Sequence, residues 1–226
     1  MDAATNDRSA PDWALVVPVK RTAFGKSRLA PYVGRHRPGL AHAMALDTLQ
    51  AALACSSITA IFVVTDDLEL SGALLALGAE SGGDVTVVPD EPDDGLNAAL
   101  RHGSEVARSA RPGRAVAAMS ADLPALRPLE LDRVLDAARP YRNAFVPDAD
   151  GVGTTVYTAG PGAEFAPRFG LRSRWAHRAS GAVELDVAGI SSVRRDVDTE
   201  SDLFDAVGIG VGARTRHVLA SIGALL

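Results

Sequence analysis

Apolar residues in this chain follow two rhythms. Short runs of Val, Ile and Ala, bounded by turn residues, alternate with longer segments in which apolar positions recur every three or four residues. The first rhythm suits strands and the second amphipathic helices, so their alternation predicts helices packed around a mostly parallel sheet. Residues 14–19 predict the first strand. Residues 38–54 predict a helix, with Pro38 in its first turn and Leu46, Leu49 and Leu53 on one face. An apolar run at 58–65 predicts a buried strand that stops at Asp66 and Asp67, where a helix can be capped.

Residues 85–88 predict a short strand, and Leu96, Ala99, Leu100, Gly103 and Ala107 share one stripe of the helix that follows. The small residues 115–119 read as a strand, 129–138 as a helix, and 144–147 and 154–158 as strands joined by a turn at 148–153. Residues 160–181, rich in Gly, Pro, Arg and aromatic side chains, are long for a passive connection and predict an irregular site loop. A strand near 192–196 and a final helix complete the pattern. No repeat, linker or low-complexity block divides the chain. The expectation is a polar, disordered tip at 1–12 and one domain at 13–226, built on a single doubly wound, mostly parallel sheet. Ligands of such sheets bind beyond the carboxyl ends of the strands, so the loops there are where chemistry is sought.

Composition narrows the function. The chain has 226 residues, 47% of them hydrophobic, enough for one continuous core. A formal net charge of -5 argues against a nucleic-acid binder, which needs a basic face for phosphates, and favours a small-molecule substrate. The single cysteine, Cys55, has no internal disulfide partner and sits in an Ala-rich stretch that reads as a buried helix end, so packing explains it better than catalysis. The amino-terminal residues lack a signal-peptide core, and no segment holds eighteen uninterrupted apolar residues, so a cytoplasmic location with no membrane contact is expected. The abundance of Ala, Arg and Gly suggests a GC-rich bacterial source.

Several strand-end segments carry candidate chemistry. Lys20, Arg21, Lys26 and Arg28 place four cations in nine residues after the first strand, which suits a triphosphate, although a solvated basic loop would look the same. Gly25-Lys26-Ser27 resembles the end of a P-loop, but the glycine that motif needs five residues before Gly25 is Lys20, which excludes a Walker site. Asp122, in Ser120-Ala121-Asp122-Leu123-Pro124, can reach a divalent cation bridging phosphates, and Asp196 and Asp198 at another predicted strand end supply further carboxylates. Asp198 or Thr199 is also a candidate cap for the last helix. Gly95 and Asn97 can face a purine edge, with Asp94 as a competing cap. Thr154, Thr155, Gly170 and Ser173 offer hydroxyls and an approachable backbone to an anion. The five histidines show no metal-ligand spacing and receive no role.

Taken together these segments resemble the F420-pathway guanylyltransferases, the family that includes 2-phospho-L-lactate guanylyltransferase and its bacterial phosphoenolpyruvate-using relatives. The similarity spans nearly the whole chain. It rests on Pro18-Val19-Lys20 with Lys26-Ser27-Arg28-Leu29, Gly95-Leu96-Asn97, Ser120 to Pro124, Gly153-Thr154-Thr155, Phe169-Gly170 with Ser173, and Asp196-Val197-Asp198-Thr199. The resemblance implies a GT-A nucleotidyltransferase fold, with GTP against Pro18, Val19, Gly95, Asn97, Ser120 and Ala121. It implies catalytic roles for Lys20, Lys26, Arg28 and Asp122, with Mg²⁺ as cofactor on Asp122, Asp196 and Asp198, and acid binding by Thr155, Gly170 and Ser173. The expected reaction transfers GMP from GTP to phosphoenolpyruvate, giving enolpyruvyl-diphospho-guanosine and pyrophosphate. 2-Phospholactate and 3-phosphoglycerate remain alternative acceptors, and a sugar-phosphate or pterin nucleotidyltransferase or a non-catalytic nucleotide sensor are the other readings. The resemblance also raises contact with the next enzyme of the F420 pathway. The chain departs from sugar and molybdopterin nucleotidyltransferases in lacking a Gly-rich loop after the first strand, which favours the F420 branch.

Overall fold

The structure, a computed structural model, describes residues 13–19, 27–91 and 93–223. Strand β1 (Trp13–Pro18) begins one residue before its predicted start and lies near the middle of the sheet. It pairs in parallel with β2 (Ile58–Val64) and β4 (Ala115–Met119), and β2 pairs in parallel with β3 (Val85–Val88). Next to β4, β6 (Thr154–Ala159) runs antiparallel to both β4 and β5 (Asn143–Pro147). The two-residue β7 (Val183–Glu184) pairs in parallel with β5, giving the order β3-β2-β1-β4-β6-β5-β7.

Apolar side chains cover both faces of β1. Leu15 and Val17 face one core with Leu49 and Ala52 of α2 (Arg37–Leu53), Leu70 and Leu74 of α3 (Leu68–Ser81), and Leu131 and Leu135 of α5 (Pro128–Ala138). Ala14 and Val16 face the other, under Ala99, Leu100 and Ala107 of α4 (Leu96–Ala110). A Cβ at Gly103 would lie 2.6 Å from Val16 and Val64 side-chain carbons, so glycine is what lets α4 sit this close to the sheet. A third cluster joins α1 (Ala30–Val33), α8 (Glu200–Ile209) and α9 (Ala213–Ser221) to α2 through Val33, Leu40, Met44, Leu203 and Leu219.

Local signals explain most element ends. Pro38 occupies the first turn of α2, and the Asp67 carboxylate caps α3 by accepting the Leu70 N–H at 3.1 Å. Cys55 is buried just beyond α2, where its thiol donates to Asp132 at 3.0 Å. Three expectations need correction. Residues 192–196 do not form a strand: Ser191–Arg194 is a short helix, α7, in which the Ser192 N–H and hydroxyl both donate to the buried Glu130 carboxylate (2.9 and 2.8 Å). The outer edge of β5 is taken by β7. The 160–181 segment is not irregular throughout, since α6 (Ser173–Ala179) lies inside it. The chain ends in two helices, α8 and α9, rather than one, the break falling at Gly210 and Gly212.

Among the described residues no helix is long and apolar enough to cross a membrane. Because β6 runs against its neighbours, its amino-terminal end meets the carboxyl ends of β1, β4 and β5 at one edge of the sheet.

Candidate active site

At that edge Asp122 is held through its backbone. The Ser120 N–H donates to the Thr155 carbonyl at 2.9 Å, extending the β4–β6 ladder one step past the strand. The Leu123 N–H then donates to the buried Thr48 hydroxyl of α2 at 3.1 Å, and the Val197 N–H donates to the Asp122 carbonyl at 3.1 Å. The last bond carries Asp196 and Asp198 to the same place. Thr199 caps α8, its hydroxyl accepting the Asp202 N–H while Asp202 accepts from the Thr199 backbone, so Asp198 is not the cap.

Asp148, at the carboxyl end of β5, joins this group, and the sequence reading missed it. Its carboxylate accepts the Val152 and Gly153 N–H groups at 2.8 and 2.6 Å, folding the turn before β6. A side chain at 153 would overlap that carboxylate, which accounts for the glycine there. The strand-end rule that selected Asp122 applies equally to Asp148, but the turn 148–153 looked like a plain connection.

Burial, followed by the negative charges of Asp122, Asp148 and Asp198, pushes the Asp196 carboxyl up to about 7. Four carboxylates converging where one is partly desolvated is unfavourable without a nearby cation, and an all-oxygen set suits a hard divalent ion. No three acidic, His or Cys side chains among the described residues form a ready-made metal cage. A hard divalent ion can take one or two protein carboxylates and fill its sphere with phosphate oxygens and water.

The cleft has two lobes that share Leu96, Ser120, Asp122, Phe169 and Asp198. The apolar lobe, about 290 Å³, lies between the ends of β1 and β4 and the helices α2 and α4. It is lined by Pro18, Val19 and Ala121 together with Met44, Leu100 and Met119. The polar lobe, about 450 Å³, is lined by Arg28, Asp148, Thr154, Gly170, Ser173 and Asp196 among others. The expected residues Pro18, Val19, Arg28, Ser120, Ala121, Asp122, Gly170, Ser173, Asp196 and Asp198 thus come together around one cleft. Lys20 and Lys26 lie outside the described residues.

Three expected residues sit differently. Thr155 is fully buried behind the polar lobe, its carbonyl holding Ser120. Gly95, with φ of 82°, forms the amino-terminal cap of α4 through its carbonyl, and Asp94 makes no cap. The Asn97 amide is engaged at both ends on the Phe169 backbone, accepting its N–H and donating to its carbonyl, each at 2.8 Å. Asn97 therefore clamps the 168–173 loop rather than facing the cleft as a purine reader.

His177 is the second anchor of that loop, contrary to the expectation that no histidine had a role. It is fully buried, stacked on Tyr157 with centroids 4.8 Å apart and edge-on to Phe169. Its Nε2 accepts the Arg168 N–H at 2.8 Å, and its Nδ1 lies 3.0 Å from the Thr154 hydroxyl. Burial, then the Arg168 charge, lower its pKa to about 4. Its sequence signal was absent because the partners are backbone and hydroxyl groups up to 23 residues away. The loop itself holds Arg172 at φ of 57° and Gly170 at φ of 130°, a chain reversal that ends with Ser173 opening α6.

The chain matches the model of the family described as "Guanylyl transferase CofC like" over residues 13–225. It is similar to a protein of Streptomyces coelicolor named phosphoenolpyruvate guanylyltransferase, 56% identical over 211 residues, covering 93% of this chain and 97% of that one. A second protein of that name, from Thermomonospora curvata, is 52% identical over 94% of this chain and 90% of its own. Among solved structures, Rv0371c of Mycobacterium tuberculosis, also solved with manganese, is 25% identical with a TM-score of 0.54, covering 88% of this chain and 100% of that one. A cytidylyltransferase from Leptospira borgpetersenii, 10% identical, shares the fold with a TM-score of 0.54 over 94% of each chain. With a nucleotidyltransferase fold, a carboxylate-lined cleft at its expected edge and a family match over nearly the whole length, this chain belongs to the CofC-like guanylyl transferase family.

Proposed function

We propose that this protein transfers the guanylyl group of GTP to phosphoenolpyruvate, releasing pyrophosphate, in the coenzyme F420 route that the sequence resemblance implies. The observation that carries the reading is the convergence of Asp122, Asp148, Asp196 and Asp198 between an apolar lobe sized for a base and a polar lobe lined by Thr154, Gly170 and Ser173. The acceptor is read from the relatives, which bear that name along almost their full length.

In this mechanism a phosphate oxygen of the acid attacks the α-phosphorus of GTP in line, a P–O bond forms, and the bond to the departing pyrophosphate breaks. The nucleophile is already an anion, so no side chain must remove a proton, and positioning with charge neutralisation supplies the rate. Asp122 and Asp196, with Asp198 beside them, would hold a divalent ion, which when bound neutralises phosphate charge and fixes the geometry of the two anions. Arg28, with Lys20 and Lys26, would meet the leaving pyrophosphate. Gly170 and Ser173 would present backbone and hydroxyl donors to the acid, and Pro18, Val19 and Ala121 would flank the base.

Incubation with GTP, Mg²⁺ or Mn²⁺ and an equimolar mixture of phosphoenolpyruvate, 2-phospholactate and 3-phosphoglycerate tests this directly. Mass spectrometry should find enolpyruvyl-diphospho-guanosine in excess, with stoichiometric pyrophosphate. A different adduct would reassign the acceptor, and GTP binding without pyrophosphate release would make the protein a nucleotide sensor.

A further inference from the structure

The histidine that anchors the acid-side loop also sets the direction of a hydroxyl facing the cleft. From this geometry we infer that Thr154 is a further donor to the acid substrate, its polarity fixed by His177. The inference rests on the proposed function for the identity of the anion.

The argument begins at the Arg168 N–H, which can only donate. It points at His177 Nε2 from 2.8 Å, so that nitrogen must carry its lone pair and no proton. A neutral imidazole with a bare Nε2 carries its proton on Nδ1. Nδ1 lies 3.0 Å from the Thr154 oxygen and also meets the Ser173 backbone, so its proton is offered to these acceptors and the Thr154 hydroxyl cannot donate to it. The Thr154 hydroxyl has no other hydrogen-bond partner among the described residues, so its own hydrogen is left to point elsewhere. The residue is 6% exposed and lines the polar lobe with Gly170 and Ser173. A hydroxyl that must act as acceptor towards the buried imidazole, on a residue lining the cleft, keeps its hydrogen available to an anion there.

Burial favours the neutral imidazole, as does the nearby Arg168 charge. Its packing between Tyr157, Phe145 and Phe169 sets the plane of the ring, and the Arg168 and Thr154 contacts set which edge faces each. Protonating Nε2 would set two N–H groups against each other at Arg168 and release the loop that carries Gly170 and Ser173. His177 is thus a positioning residue with two outputs. Nδ1 orients Thr154, and Nε2 holds the loop.

Nitrogen-15 NMR of histidine-labelled protein reads the tautomer without any turnover. A protonated Nδ1 and a bare Nε2 at neutral pH are expected, and the opposite tautomer overturns the inference. Steady-state kinetics then separate the hydroxyl from mere packing. Thr154→Val keeps the shape and should raise KM for the acid about 10- to 100-fold, with KM for GTP within about twofold, since a donor to a charged group is lost. Thr154→Ser should restore most of the acid affinity. His177→Asn can still donate to Thr154 but leaves the Arg168 N–H unmet, and His177→Gln can satisfy Arg168 but does not donate at the Nδ1 position, so adding Thr154→Val should cost further acid affinity in the Asn variant and little in the Gln variant. Unchanged acid KM in Thr154→Val, or equal losses for acid and GTP, would reduce Thr154 to a packing residue. Wild-type protein that turns over no acid would instead refute the proposed substrate, while the tautomer measurement would still stand.

Discussion

Replacing Asp196 with an asparagine makes the electrostatic reading of the site measurable through stability alone. In the folded chain this carboxyl keeps its proton up to about pH 7, whereas an unfolded aspartate releases it near 3.8. Between those values the folded state binds the extra proton, so stability contributed by this group is full below about 3.8 and lost as pH rises through about 7. The interval from 3.8 to about 7 corresponds to an upper bound of ~4 kcal/mol at 1.36 kcal/mol per pH unit. Water reaching an open cleft and relaxation of the neighbouring carboxylates reduce this to about 1–3 kcal/mol. The amide side chain of the variant carries no charge at any pH and removes the penalty. In chelator at pH 8 the Asp196→Asn variant should therefore melt roughly 2–12 °C above wild type, using ~2–4 °C per kcal/mol for a chain of this size. The difference should shrink towards pH 5, where wild-type Asp196 is protonated. Added Mg²⁺ should raise wild-type Tm more than the variant's, because a cation relieves the repulsion that the amide has already removed. Differential scanning calorimetry across pH 5–8, with chelator and with metal, gives all of these numbers. Parallel pH profiles of Tm for the two proteins in chelator would refute the convergence of charge on Asp196.

Other perturbations test separate parts of the site. Asp122→Asn should lower kcat by at least about 100-fold, on the scale of losing a placed electrostatic group, while Tm stays within a few degrees. Near-normal turnover would remove Asp122 from the metal site. Gly153→Ala should cost about 1–3 kcal/mol and raise the metal concentration needed for half-maximal activity, because the new methyl group displaces the Asp148 carboxylate. Unchanged metal dependence would separate Asp148 from the ion. Cys55 should resist alkylation at pH 8 in folded protein, measured by intact-mass analysis, since burial and the adjoining Asp132 carboxylate push its thiol far above the usual range. Rapid labelling without unfolding would contradict its placement beyond α2.

The sequence by itself determined the sheet core and most of the cleft wall. Continuous apolar runs such as Ile58–Val64 and the small-residue run Ala115–Met119 can be satisfied only by burial on two faces, so strand identity was written locally. Once the strands were set, the rule that ligands lie beyond their carboxyl ends led to Asp122 and, through a strand that is in fact the helix α7, to Asp196, while the family resemblance pointed to Gly170 and Ser173. Residues whose role depends on a partner far along the chain were decided only in three dimensions. Asn97 reads as an amide for a purine edge until α4 docks it on Phe169, 72 residues away. Asp148 reads as a turn residue until the chain brings Asp196 beside it. The 192–196 segment has a strand-like pattern, but the buried Glu130 carboxylate holds the Ser192 amide and hydroxyl where Ser191–Arg194 turns into a short helix. His177 was the least legible, because a buried histidine gains its meaning from which of its nitrogens a backbone N–H reaches. Periodicity and composition report what each residue prefers, whereas hydrogen-bond polarity and the sharing of charge among carboxylates arise only when the fold fixes distances between them.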